Sequence, residues 1–214
     1  MIAHLYNQQY ALFALIIIAL IISLTFHEFG HAATAKFFGD DTAQRMGRLN
    51  INPLAHIDPI GLLMVVLIGF GYAKPVPTNP RNFNHRMATP LIAAAGPFMN
   101  LILAFLTINL LVWGQESGNP WFHQEGPEYF FVLLASVNLL LMLFNLLPLG
   151  PLDGHYILGH ILPQPIAGKY LEFNARYGHF IFLGLILISI LGIPIFQTLM
   201  TTAGRILPYL IVIQ

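Results

Sequence analysis

Cysteine is absent from all 214 residues, which excludes disulfides, thiolate nucleophiles and Cys-ligated metal sites. Imidazoles and carboxylates are left as the candidate metal ligands. Charge is scarce as well. Only 8% of residues are charged against 57% hydrophobic, too few polar groups to cover the surface of a water-soluble globule. Nine Lys plus Arg balance nine Asp plus Glu, so there is no basic excess for phosphate backbones, which argues against nucleic acid as a partner. No stretch is polar enough to form a soluble module or a linker. Residues 1–214 therefore read as one integral membrane domain, all-α and polytopic, with the lipid bilayer as its solvent. The N-terminus lacks a basic n-region and a small-residue cleavage site, so residue 10 onward reads as a retained helix rather than a signal peptide.

What is present is long apolar runs. A helix needs about 20 apolar residues to cross the hydrocarbon, and residues 10–38, 88–113 and 129–147 meet or approach that length. The region from residue 180 onward is long enough for two more passes, with Gly192-Ile193-Pro194 as the break and Arg205 inside the second. About five or six membrane segments are expected in all, with C-terminal helices over about 178–214 following a core over about 10–155. Residues 61–72 are too few to cross and carry Gly69 and Gly71, which suggests a re-entrant segment. Just before it, residues 48–52 alternate polar and apolar and read as an extended, β-like stretch, after which Pro53 and Pro59 forbid regular helix.

Basic residues near helix ends mark the cytoplasmic face. Lys36, Arg45, Arg48, Lys74, Arg81 and Arg86 fall between the first two long helices, and Lys169 and Arg176 follow the third. The loop over 114–127 has no Lys or Arg and carries Glu116 and Glu125. The expected topology is a multi-pass protein of the cell membrane with its N-terminus outside and both basic regions in the cytoplasm.

Near the cytoplasmic end of the first helix stands His27-Glu28-Phe29-Gly30-His31, an HExxH run. Four residues make slightly more than one helical turn, so both imidazoles project from one face and can grip one ion, with Glu28 beside it to take a proton from water. Ionisable groups in apolar helices are costly and usually functional. A catalytic zinc needs a third protein ligand and an open position. Asp153 is the candidate: it follows the third helix, where Pro148 and Pro151 stop regular helix, and it is expected on irregular backbone. The first and third helices enter from the same side, so Asp153 and the HExxH pair lie at similar depth. Asp153 as the cap of a cytoplasmic turn is the competing reading. His155 and His160 are rival ligands, for which a surface or interfacial role is preferred.

HExxH in a membrane helix, followed by the NxxPxxxxDG pattern from Asn145 to Gly154, resembles the site-2 protease family of intramembrane metalloproteases. The similarity extends to residues 52–61, to Lys74-Pro75-Val76-Pro77 and to Gly96-Pro97-Phe98-Met99-Asn100, and it looks like the compact branch without a PDZ module. The resemblance implies one zinc held by His27, His31 and Asp153, Glu28 as the general base, and a conformational or substrate-binding role for Asn145. It also makes Asn100 a candidate for supporting the oxyanion or the substrate. A bland reading of Gly96 and Asn100, close helix packing with a hydrogen bond across it, stands beside this one. His56 and Asp58 are expected to satisfy backbone donors near the re-entrant segment.

The implied substrate is a transmembrane segment of another protein, locally unwound and paired as a strand with residues 48–52. The alternatives are an inactive relative that binds membrane segments and a metal transporter, the latter favoured by several ligand clusters across the bilayer. Substrate identity and oligomeric state are open at this level.

Overall fold

The computed structural model describes residues 7–69 and 71–213. Residues 1–6, Gln214 and Phe70, the last within the 61–72 run, lie outside the described set. The described residues form helices and turns with no sheet, as the composition implies. A lone antiparallel bridge joins Ile57 to Ala73. In hydrocarbon a helix satisfies its own backbone, whereas an open sheet edge does not.

Among the described residues, seven α-helices of nine residues or more organise the chain: α1 (Tyr10–Phe37), α2 (Pro59–Ile68), α3 (Ala88–Glu116), α4 (Glu125–Asn145), α5 (Asp153–Ile161), α6 (Ile166–Ile190) and α7 (Ile195–Ile206). Four of them, α1, α3, α4 and α6, are long and apolar enough to span a membrane. The expected two passes after residue 180 are instead one long helix, which starts at Ile166, and the short α7. At twelve residues and about 1.5 Å rise each, α7 reaches only about 18 Å, well short of the hydrocarbon thickness. Its apolar side packs on α4, where Ala203 joins a buried cluster that holds Leu139 and, from α3, Ala104 and Ile108. Its polar side carries Thr198, Thr201, Thr202 and Arg205, which accounts for an arginine in that apolar tail.

The run expected to be re-entrant contains α2. Asp58 caps it by accepting from Ile60 N and Gly61 N at 2.9 Å each, and Gly69 ends it at φ +78°, a left-handed conformation glycine adopts without strain. The stretch 48–52 is not a strand. Asn50 and Asn52 turn it by accepting from the backbone two residues on, at Asn52 N and Leu54 N.

Helix α3 is the hub, packed between α1 and α4 and against α5. The close approach of α1 and α3 depends on small residues. A Cβ on Gly30 would lie 2.7 Å from the Ala95 carbonyl oxygen. Pro97 sits inside α3. Its missing N–H leaves the Ala93 carbonyl without its usual helical partner, a break in the ladder one turn from the site described next.

Candidate metal centre

His27 and His31 are both buried on the face of α1 turned toward α3, and their rings meet edge to face at 4.7 Å. The two Nε2 atoms are 3.0 Å apart. Asp153, the first residue of α5, brings Oδ2 to 3.2 Å from His27 Nε2 and Oδ1 to 3.5 Å from His31 Nε2. The three ligand atoms all lie within 4.8 Å of one another. Among the described residues, these form the one such His and carboxylate group. Asp153 lies in regular helix, not on the irregular backbone expected, because the turn made by Pro148 to Leu152 ends at its own position. A carboxylate in the first turn also suits the positive end of that helix.

Hydrogen bonds on the far side of each ring fix which nitrogen faces the centre. His31 Nδ1 lies 2.7 Å from the Ile92 carbonyl oxygen, which can only accept, so Nδ1 carries a proton and, on the neutral ring, Nε2 presents a lone pair. His27 Nδ1 lies 2.6 Å from Asn100 Oδ1 and is protonated for the same reason. Two imidazole lone pairs and a carboxylate thus converge within hydrogen-bond range, and the buried Asp153 Oδ2 has no hydrogen-bond donor. Such a cluster of acceptors repels itself unless a cation lies between them. Two nitrogens on a tetrahedral zinc are separated by about 3.3 Å, close to the spacing seen. Two neutral histidines and one aspartate with an edge left open match the donor set of a catalytic zinc.

Gly96 makes room for the pair. A Cβ there would collide with His31 Nε2 and sit 2.6 Å from His27 Nε2. The packing role weighed for Gly96 is therefore contact with the imidazoles themselves. Glu28 is buried beside the pair, and its Oε2 accepts from Val76 N at 3.1 Å. Among the described residues its Oε1 has no hydrogen-bond partner. The segment carrying Val76 is clamped by Arg48, which donates to the carbonyls of Lys74 and Pro75. Arg48 is buried, and its charge lies within reach of Glu28.

Gly154 tucks the start of α5 against the end of α4, where a Cβ would collide with the carbonyl oxygens of Leu146 and Leu147. From α6, Asn174 Oδ1 accepts from Gly150 N at 2.9 Å, and Tyr170 donates its hydroxyl to Pro148 O at 2.8 Å. The C-terminal third, which carries no recognisable motif, thereby holds the loop that delivers Asp153. Asn145 does not join the cluster and donates to Leu141 O of its own helix at 3.0 Å. His155 bonds Leu152 O and His160 bonds Arg86 O, both away from the cluster. His56 is fully buried and bonds Asn50 O, so it pins the loop through an acceptor rather than a donor.

Asn138 and Asn174 escaped the sequence reading. Asn138 is an amide in the middle of an apolar helix, where such groups usually signal a partner. It is fully buried and accepts from Asn100 at 2.8 Å.

Comparison with known proteins agrees with this geometry. The family model described as Peptidase family M50 matches residues 15–120 and 114–189. The chain is 43% identical over 171 residues to "Putative zinc metalloprotease YwhC" of Bacillus subtilis (strain 168), covering 78% of each chain. It is 32% identical over 160 residues to "Putative zinc metalloprotease Rip2" of Mycolicibacterium smegmatis, covering 71% of this chain and 59% of that one. The Rip2 of Mycobacterium tuberculosis strain H37Rv is 31% identical over 160 residues, again covering 71% of this chain and 59% of the relative. No solved structure matches significantly.

Proposed function

The chain belongs to peptidase family M50, a family of zinc metalloproteases, and from that premise we propose that it hydrolyses peptide bonds within transmembrane segments of other proteins. In this reading the whole chain is one protease domain, His27, His31 and Asp153 hold a single zinc, and Glu28 is the general base. The observation that carries it is the convergence of three lone-pair donors in a helical, membrane-type scaffold. When bound, zinc acts as a Lewis acid and makes water a competent nucleophile near neutral pH.

The protein's own groups do the rest. His27 and His31 present Nε2 because Asn100 and the Ile92 carbonyl hold the protons on Nδ1. Glu28 is fixed by the Val76 amide through one oxygen, which leaves the other to accept a proton and return it to the departing amine. Asp153 is the ligand on the less enclosed side, its side chain 17% exposed against 6% for His27. Water and substrate would enter there. The basic residues flanking the site support an orientation in which it faces the cytoplasm.

The single ligand cluster among the described residues supports an enzyme over a transporter, which needs successive sites along a path. The test is incubation of the purified protein with a panel of transmembrane peptides, with and without a chelator, and mapping of products by mass spectrometry. Cleavage inside the apolar segment that stops with chelator is the expected result. Chelator-insensitive cleavage, or none of any peptide, overturns the proposal.

A further inference from the structure

Asn100 and Asn138 are both fully buried, on α3 and α4, two of the membrane-type apolar helices. An amide there must satisfy its hydrogen bonds internally. Their orientations form a chain with one solution. Asn138 Nδ2 donates to Leu134 O at 2.8 Å, a carbonyl that can only accept, so Asn138 must turn Oδ1 toward Asn100. Asn100 answers with Nδ2, which donates to Asn138 Oδ1 at 2.8 Å and to Ser23 O at 3.1 Å. Both hydrogens of that nitrogen are then used, and only Oδ1 remains for His27. An acceptor at 2.6 Å from Nδ1 requires the proton there.

We propose that Asn138 is a positioning residue for the metal centre, setting the tautomer and ring orientation of His27 through Asn100. The proposal rests on the zinc-protease reading. The information runs from a backbone carbonyl on α4, across two side-chain amides, to the nitrogen that faces the centre. If Asn138 is removed, one N–H of Asn100 loses its acceptor, and the amide is held by the longer bond to Ser23 O alone. The hold on the imidazole then slackens although no ligand has changed. Outer groups that orient a ligating histidine are typically worth 10-fold to 100-fold in metal affinity.

Asn109 supplies the control. It is another buried amide on α3, bonded to Phe105 O, Leu210 O and Val212 N at 2.8 to 2.9 Å, and these bonds lead to neither histidine. The experiment compares zinc affinity, by competition with a chromophoric chelator, for the wild type, Asn138→Leu and Asn109→Leu. Asn138→Leu is expected to bind zinc about tenfold more weakly, with Asn109→Leu close to wild type. Equal affinity for Asn138→Leu and wild type overturns the relay, as does an equal loss in both variants. A wild type that takes up no zinc overturns the zinc reading itself. The relay is then decided on metal-free wild type, which also covers an Asn138→Leu chain that fails to fold. Nitrogen-15 NMR of labelled histidine should show His27 protonated at Nδ1 and bare at Nε2, and the reverse tautomer overturns the proposal.

Discussion

His27 and His31 sit one turn apart on a single long helix, walled in by α3 and by buried amides, whereas Asp153 arrives on a nine-residue helix whose preceding loop is tied down by α6. The first arrangement is local: the period of an α-helix sets the separation of the two imidazoles before any tertiary contact forms. The second depends on packing, since Asp153 lies more than a hundred residues from the histidine pair along the chain. One half of the site is thus a property of a helix, and the other half is a property of how helices pack.

The sharpest way to break that contrast is to add one methyl group to each half. Gly96→Ala would drive a Cβ into both Nε2 atoms, and Gly154→Ala would drive one into two backbone carbonyls at the root of α5. Gly96→Ala is expected to abolish zinc uptake, with an overpacking cost of about 1–3 kcal/mol. Gly154→Ala should leave weak binding by the histidine pair. Zinc per chain after desalting, by elemental analysis, separates the two, and a full complement in Gly96→Ala would show that the pair tolerates a wider gap.

Glu28→Gln tests chemistry without disturbing either half. Zinc content should be unchanged while peptide cleavage falls by about 10²–10⁴-fold. A variant that cleaves at the wild-type rate removes Glu28 from the mechanism. Asn174→Leu probes the aspartate half alone by stranding the Gly150 N–H, at a cost of about 1–3 kcal/mol. Zinc affinity should weaken severalfold in chelator competition, with His27 retaining its tautomer.

The smallest effect is expected at Asp40, in the turn after α1. Burial opposes its charge, but donors from Thr42, Asn79 and Asn82 outweigh that and hold its carboxyl below the ordinary carboxylate range. A depressed folded pKa contributes stability that is complete above the ordinary value near 4 and is lost as pH falls toward the lower folded value. Asp40→Asn should therefore lower thermal stability by on the order of 1 kcal/mol at neutral pH. The gap from wild type should close in acid, and a gap that stays constant from pH 7 to pH 3 removes the carboxylate as its cause.

Legibility in the sequence follows the same division. Helices α1, α3 and α4 are expected within a few residues because their signal is a long apolar run. α6 is expected to begin near residue 180, yet it begins at Ile166, because Lys169, Glu172 and Arg176 on its exposed side mask the first half. Arg48 reads as a membrane-face marker by composition, but the carbonyls of Lys74 and Pro75 give it a buried place that no local pattern announces. Asn100 stands out through its motif, while its contact with His27 and its dependence on Asn138 require two other helices to be in position.

By itself the sequence determined a membrane solvent, a helical fold and a pair of imidazoles on one face, since these depend on composition and on a period of 3.6 residues. Only the tertiary structure decided which carboxylate joins them, which nitrogen each ring presents and what holds the loop before Asp153. Those outcomes turn on hydrogen bonds between segments far apart in the chain, and a partner's direction exists only once the helices have packed.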